Sequence, residues 1–196
     1  MFNNNQHLVN DTIVPFEFWV ESFQSALTAI GNVVMVLSPW NNPTTLTRTW
    51  CVFEIYVGIQ TNARFEVAMS KTQKQTFLQD LQANENCFNK MLGTIKSANS
   101  KTAVPSDRDN IMALMKTANM TCVDLDRLLF KVLEDWIFRT IQALIDGTVL
   151  AEKATWFYFM ACILCEKQEF KQAKVFNDEA IHLYRAQLDD KDVDTW

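Results

Sequence analysis

Glycine and proline are scarce in this chain, four of each among 196 residues. So few turn-forming residues exclude collagen-like and low-complexity chains, and they favour helices over many short strands. Histidine is scarcer still: His7 and His182 stand alone, so no Ser/His/Asp arrangement and no histidine-based metal set can be argued. No apolar run approaches the roughly 18 residues that span a bilayer. The opening MFNNNQHLVNDTIV lacks the basic flank and apolar run of a signal peptide. A cytoplasmic protein with no membrane partner is expected. Lys and Arg number 18 against 23 Asp and Glu, for a net charge of -5. The cations are scattered rather than clustered, so there is no phosphate-backbone footprint and nucleic acid is not an expected partner.

Cysteines are present in odd number, five in all, at positions 51, 87, 122, 162 and 165. Their apolar contexts predict reduced core thiols rather than a disulfide framework. Cys162 and Cys165 form a Cys-x-x-Cys, but no second pair follows at metal spacing. No metal site is expected.

What the chain does have is apolar residue in quantity, 48% of the total, enough for a real core in a domain of ordinary size. Pro15 opens PFEFWVESFQSALTAIG, where Phe16, Trp19, Phe23, Leu27 and Ile30 recur at three- and four-residue spacing before Gly31. That pattern predicts an amphipathic helix with a glycine stop, its aromatics in the core and Glu17 and Glu21 on the solvated face. NVVMVLS, bounded by Gly31 and Pro39, reads as a strand buried on both faces, as in a parallel sheet. SPWNNPTTLTRT is a loop in which Thr47 or Thr49 can cap a helix starting at Trp50. ARFEVAMS reads as a second short strand, and Ser70 caps a polar helix near residues 71–82. SANSKTAVPSDRDN is the clearest loop, Ser106 can cap a helix through Lys116, and a long amphipathic helix runs from about Val123 to Ile145. From Ala151 the pattern is wholly helical and predicts a hairpin that turns near Gln168.

Within that hairpin Ala161, Ala173 and Ala180 are spaced as the small residues of a tetratricopeptide repeat, where they let two helices pack closely. Phe157 stands at the usual aromatic start and Phe170 before the second helix. Asn177 departs from the pattern, which has a bulky aromatic there, and the neighbouring Phe176 can compensate. The segment EAIHLYRAQLDDKDVDTW resembles the exit of a kinesin-light-chain-type repeat. Because about three such units are needed to bury their faces, the resemblance implies that the array continues past Trp196 and that the outer face of this unit exposes Ile181 or Tyr184.

LTRTWCVFEIYVG carries one acid, Glu54, in an apolar run. Together with the preceding LTAIGNVVMVLSPWNNPTT it resembles the middle of a TIR domain: a helix ending in Ala-Ile, a strand ending in Ser, a loop, and a helix opening with Trp-Cys-x-x-Glu. Ser38, Trp50, Cys51 and Glu54 occupy the pattern positions. The order of the two parts is similar to protist and algal proteins in which a TIR-like domain precedes kinesin-light-chain-like repeats. The resemblance implies an α/β, flavodoxin-like fold with a small parallel sheet and flanking helices over residues 1–147, followed from residue 151 to 196 by the start of a repeat array. NNNQH at residues 3–7 then looks like the end of an earlier strand, with the first strand and helix of the fold missing.

Two functions follow from the resemblance. One is a signalling or scaffold adaptor that requires no cofactor, binds protein or peptide partners through its repeats and self-associates through its TIR-like part. The alternative is a TIR-type NAD hydrolase, NAD being its substrate, with Glu54 as catalytic acid and Ser38, Trp40 and Trp50 on the nucleotide. One carboxylate could suffice, since cleaving the N-ribosyl bond passes through an oxocarbenium-like centre. Residue chemistry alone offers a plainer role for Glu54, an ion pair with Arg48 or Arg64 at the rim of the core.

Overall fold

The computed structural model describes residues 15–84 and 86–193. Residues 3–7 and Trp196 lie outside them, so the earlier strand expected at NNNQH and the continuation expected beyond Trp196 do too. Among the described residues the chain is mostly helical, with one two-stranded parallel sheet. It divides into two compact units that interleave in sequence. Among the described residues the first comprises 15–36, 43–68 and 95–129, and the second 37–42, 69–94 and 130–193.

In the first unit helix α1, Phe16–Ile30, ends on Gly31, whose φ of 67° only glycine adopts cheaply and whose N–H bonds to Leu27 O at 2.8 Å. The chain enters β1, Asn32–Val36, and after helix α2, Thr49–Gln60, it returns as β2, Arg64–Ala68. The strands pair parallel with Val33 opposite Phe65 and Met35 opposite Val67. The two expected strands are thus present, adjacent and parallel, but β1 is not buried on both faces. Met35 is 3% exposed and Val34 62%. Alternate side chains of a strand point to opposite faces, and among the described residues α2 covers only the Val33 face, so an apolar run that looks uniform in sequence is half solvated.

Helix α2 crosses this sheet through Gly58, where a Cβ would stand 2.7 Å from Val33 Cγ2. Neither threonine caps it. Arg48 occupies the N-cap position without a side-chain cap. Thr47 Oγ1 donates back to Thr44 O at 2.7 Å inside a 3-10 turn, Thr44–Thr47. Thr49 is the first helical residue and its hydroxyl pairs with Ser100 Oγ at 2.9 Å. The long-range hydroxyl pair outcompetes the local cap because both groups are buried and need each other.

The expected loop at 97–110 is shorter than its composition suggests, since it holds a 3-10 turn, Ser97–Asn99, and the start of a helix. Helix α5, Pro105–Thr117, follows helices α3, Lys71–Ala83, and α4, Cys87–Leu92, in chain order and begins one residue before Ser106, with Pro105 in its first turn and Val104 at the N-cap. Proline supplies the helical φ there, so Ser106 lies inside the first turn rather than capping it.

The second unit holds α3, Lys71–Ala83, and α4, Cys87–Leu92. Ser70 caps α3 as expected, its Oγ accepting from Gln73 N at 3.2 Å. Helix α6, Cys122–Gly147, begins in the first unit and runs on into the second, followed by α7, Leu150–Glu166, and α8, Phe170–Val193. The short α4 was not legible in NCFNKMLG, where six residues leave fewer than two helical periods to read. Phe77 packs against Trp40 at 5.1 Å and Trp136 at 5.6 Å between ring centroids.

The α7–α8 hairpin turns through Gln168, whose φ is 62°. Ala161, Ala173 and Ala180 are all buried, Ala180 to 1% exposure. Phe157 meets Phe176 at 5.9 Å between centroids, whereas Phe170 is exposed. Ile181 and Tyr184 are partly open to solvent.

Candidate functional site

Helix α2 presents Glu54 from its second turn, half-buried between the fully buried Phe53 and Ile55. Burial raises its carboxyl above the ordinary value of 4.5, and the Arg48 guanidinium pulls it partly back. Among the described residues Glu54 makes no hydrogen bond and no ion pair. Arg64, one of its two expected partners, is instead paired with Glu66 at 2.9 Å. The other, Arg48, acts on Glu54 only through space. Cys51, one turn earlier, has its thiol pushed up by burial first and by Glu54 second.

The other expected site residues divide between the units. Trp50, with Glu54 in the first unit, is half-buried, and its indole Nε1 donates to Asp107 Oδ2 at 3.0 Å. Phe16 lies 5.7 Å from its ring and Phe53 6.2 Å. Ser38 and Trp40 belong to the second unit. Ser38 is exposed. Trp40 is 2% exposed, its Nε1 donating to Asp80 Oδ2 at 2.9 Å and its main-chain N to Gln73 Oε1 at 2.7 Å. That ring is buried and its one N–H donor is already engaged within its own unit.

A cleft of the first unit, about 520 Å³, lies beside α2 but Glu54 does not line it. Its walls are the N-terminal ends of α2 and α5 and the segment between residues 99 and 104, with Arg48, Trp50, Lys101 and Asp107 among the lining side chains. Arg48 and Lys101 are neighbours across an isolated parallel bridge. Thr49 N donates to Lys101 O at 2.9 Å, and Lys101 N to Thr47 O at 2.9 Å. Sequence reasoning missed this pair, because residues 53 positions apart are joined only by a tertiary main-chain contact.

Among the described residues no group of three or more His, Cys, Asp or Glu side chains could hold a metal ion. The five cysteines are free thiols. No helix among the described residues is long and apolar enough to cross a membrane. Comparison of the chain with protein-family models, with characterised proteins and with solved structures finds no match.

Proposed function

We propose that this chain is part of a signalling or scaffold adaptor, a TIR-like α/β unit coupled to a tetratricopeptide-type helical hairpin that binds protein. The observation that carries the reading is the burial of Ala161, Ala173 and Ala180 along α7 and α8, the three small side chains whose spacing first suggested such a repeat. A hairpin of that type leaves one helix face for a neighbour. Here Ile181 and Tyr184 are 39% and 40% exposed on α8, apolar surface suited to a helical or peptide partner, a second copy included. Sedimentation of the purified chain across a concentration series tests this: association is expected, and Ile181→Asp with Tyr184→Ser should abolish it. A wild-type chain that stays monomeric throughout rejects self-association through this face.

A second reading, NAD hydrolysis with Glu54 as the catalytic group, is favoured by one feature. A half-buried carboxylate with no hydrogen-bond or ion-pair partner among the described residues is costly to keep unless something uses it. Nicotinamide release from NAD is the assay, with wild type, Glu54→Ala and Glu54→Gln compared. Catalysis predicts that both substitutions abolish turnover while the melting temperature does not fall. Absence of turnover in the wild type rejects this reading and leaves the adaptor reading intact.

A further inference from the structure

The buried polar side chains of the described residues are three, Thr49, Ser97 and Ser100, and all serve one purpose in the first unit. Thr49 and Ser100 share a hydroxyl pair. Ser97 Oγ donates to Cys122 O at 3.0 Å, and Ser97 N to Asp126 Oδ1 at 2.9 Å. Arg108 adds two bonds from outside, Nε to Ser100 O at 3.0 Å and Nη2 to Ala98 O at 2.7 Å. Together these groups fix the segment just before Lys101 against the start of α2, against α5 and against the start of α6. A surface loop held by buried, fully satisfied polar groups is preorganised rather than pliable.

What this rigid frame positions is a pair of like charges. The parallel bridge sets Arg48 and Lys101 side by side on the wall of the cleft, an arrangement that is unfavourable by itself. Among the described residues neither side chain forms an ion pair or hydrogen bond. Asp107 also lines the cleft, but its Oδ2 is engaged by Trp50 Nε1. In a chain of net charge -5, the acids nearest the pair are Asp107 in the cleft and Glu54, which the Arg48 guanidinium reaches through space, and neither closes an ion pair with Arg48 or Lys101. The first turn of α2, a helix of 12 residues, also borders the cleft with no side-chain cap, which adds positive potential from the helix dipole. A volume of about 520 Å³ lies within the size range of small-ligand sites.

We infer that this cleft binds a phosphate-bearing small anion, with the Arg48 guanidinium and the Lys101 ammonium as its principal donors. A phosphate fits better than a lone carboxylate because its several oxygens can accept from the planar guanidinium fork and from the ammonium at once. Trp50, already packed against Phe16 and Phe53, also lines the cleft. This site stands apart from both the adaptor and the hydrolase readings, since Glu54 does not line it.

The test is calorimetric titration of the full chain at fixed ionic strength, with inorganic phosphate in one arm and adenosine diphosphate in the other. Saturable one-to-one binding is expected. Arg48→Ala and Lys101→Ala should each weaken it about tenfold or more, from the loss of a charge-assisted hydrogen bond, while Lys174→Ala on α8 should retain it. Both test residues are exposed and bond through main-chain atoms only, and circular dichroism verifies that the variants fold. Equal affinity for the two ligands assigns the site to free phosphate, and tighter diphosphate binding assigns it to a phosphorylated metabolite. No saturation with either ligand, or an affinity unchanged in both Arg48→Ala and Lys101→Ala, overturns the inference.

Discussion

Replacing Gly58 with alanine sets two known effects against each other at one atom. In an exposed helix interior the change would add about 1 kcal/mol of stability, because glycine loses the most backbone freedom on folding. Gly58, however, lies where α2 crosses β1, and the added methyl would meet Val33 Cγ2 at 2.7 Å and Leu27 Cδ2 at 3.7 Å. The second distance is ordinary contact and the first is not. Relief requires Val33 to move, and a β-branched side chain on a strand has few rotamers to move into. Overpacking of this kind costs about 1 to 3 kcal/mol, so the propensity gain is outweighed and a net loss of about 1 kcal/mol is expected, or about 2 to 4 °C in melting temperature for a chain this long.

Urea denaturation followed by tryptophan fluorescence reads the change, since Trp50 lies on the same helix. The partner variant decides the cause. Val33→Ala removes Cγ2, so in that background Gly58→Ala should become stabilising by about 0.5 to 1 kcal/mol, a reversal that measures the contact directly. Should Gly58→Ala stabilise the otherwise wild-type chain, the close approach of α2 to β1 would be refuted.

At the other end of the chain, Ala180→Leu places three extra carbons where Ala180 is 1% exposed. Destabilisation of the second unit by about 1 to 3 kcal/mol is expected, and an unchanged melting curve would mean that α7 and α8 do not cross closely there. Glu54 gives a pH test. Its folded-state pKa is raised above 4.5 by burial, so the folded state binds the proton more tightly than the unfolded one, and stability is lost as pH rises through the folded value. Glu54→Gln removes that loss, so the variant should be more stable than wild type at pH 7 and close to it at pH 4. Equal destabilisation at both values would point to a hydrogen-bonded, structural carboxylate instead.

Local pattern determined a good deal of this protein by itself. Gly31 as a helix stop, the two short apolar strands, Ser70 as a cap and the turn at Gln168 are each set by interactions within a few residues, which is the range over which sequence periodicity and capping act. The three alanines of α7 and α8 were legible for the same reason, because helical spacing alone puts them on one stripe. Other features depended on partners far along the chain. Which face of β1 is dry was decided by where α2 lies, and periodicity cannot show that when both faces are apolar. Thr49 was drawn from capping into a pair with Ser100, 51 positions away, because a buried hydroxyl must find a partner wherever the fold supplies one. Glu54 could be singled out in sequence as an acid among apolar residues, but its lack of an ion pair depended on Arg64 bonding Glu66. Arg48 and Lys101 carry no local signal at all. Only a main-chain bridge between distant segments brings two scattered cations together, and the tertiary fold alone makes that bridge.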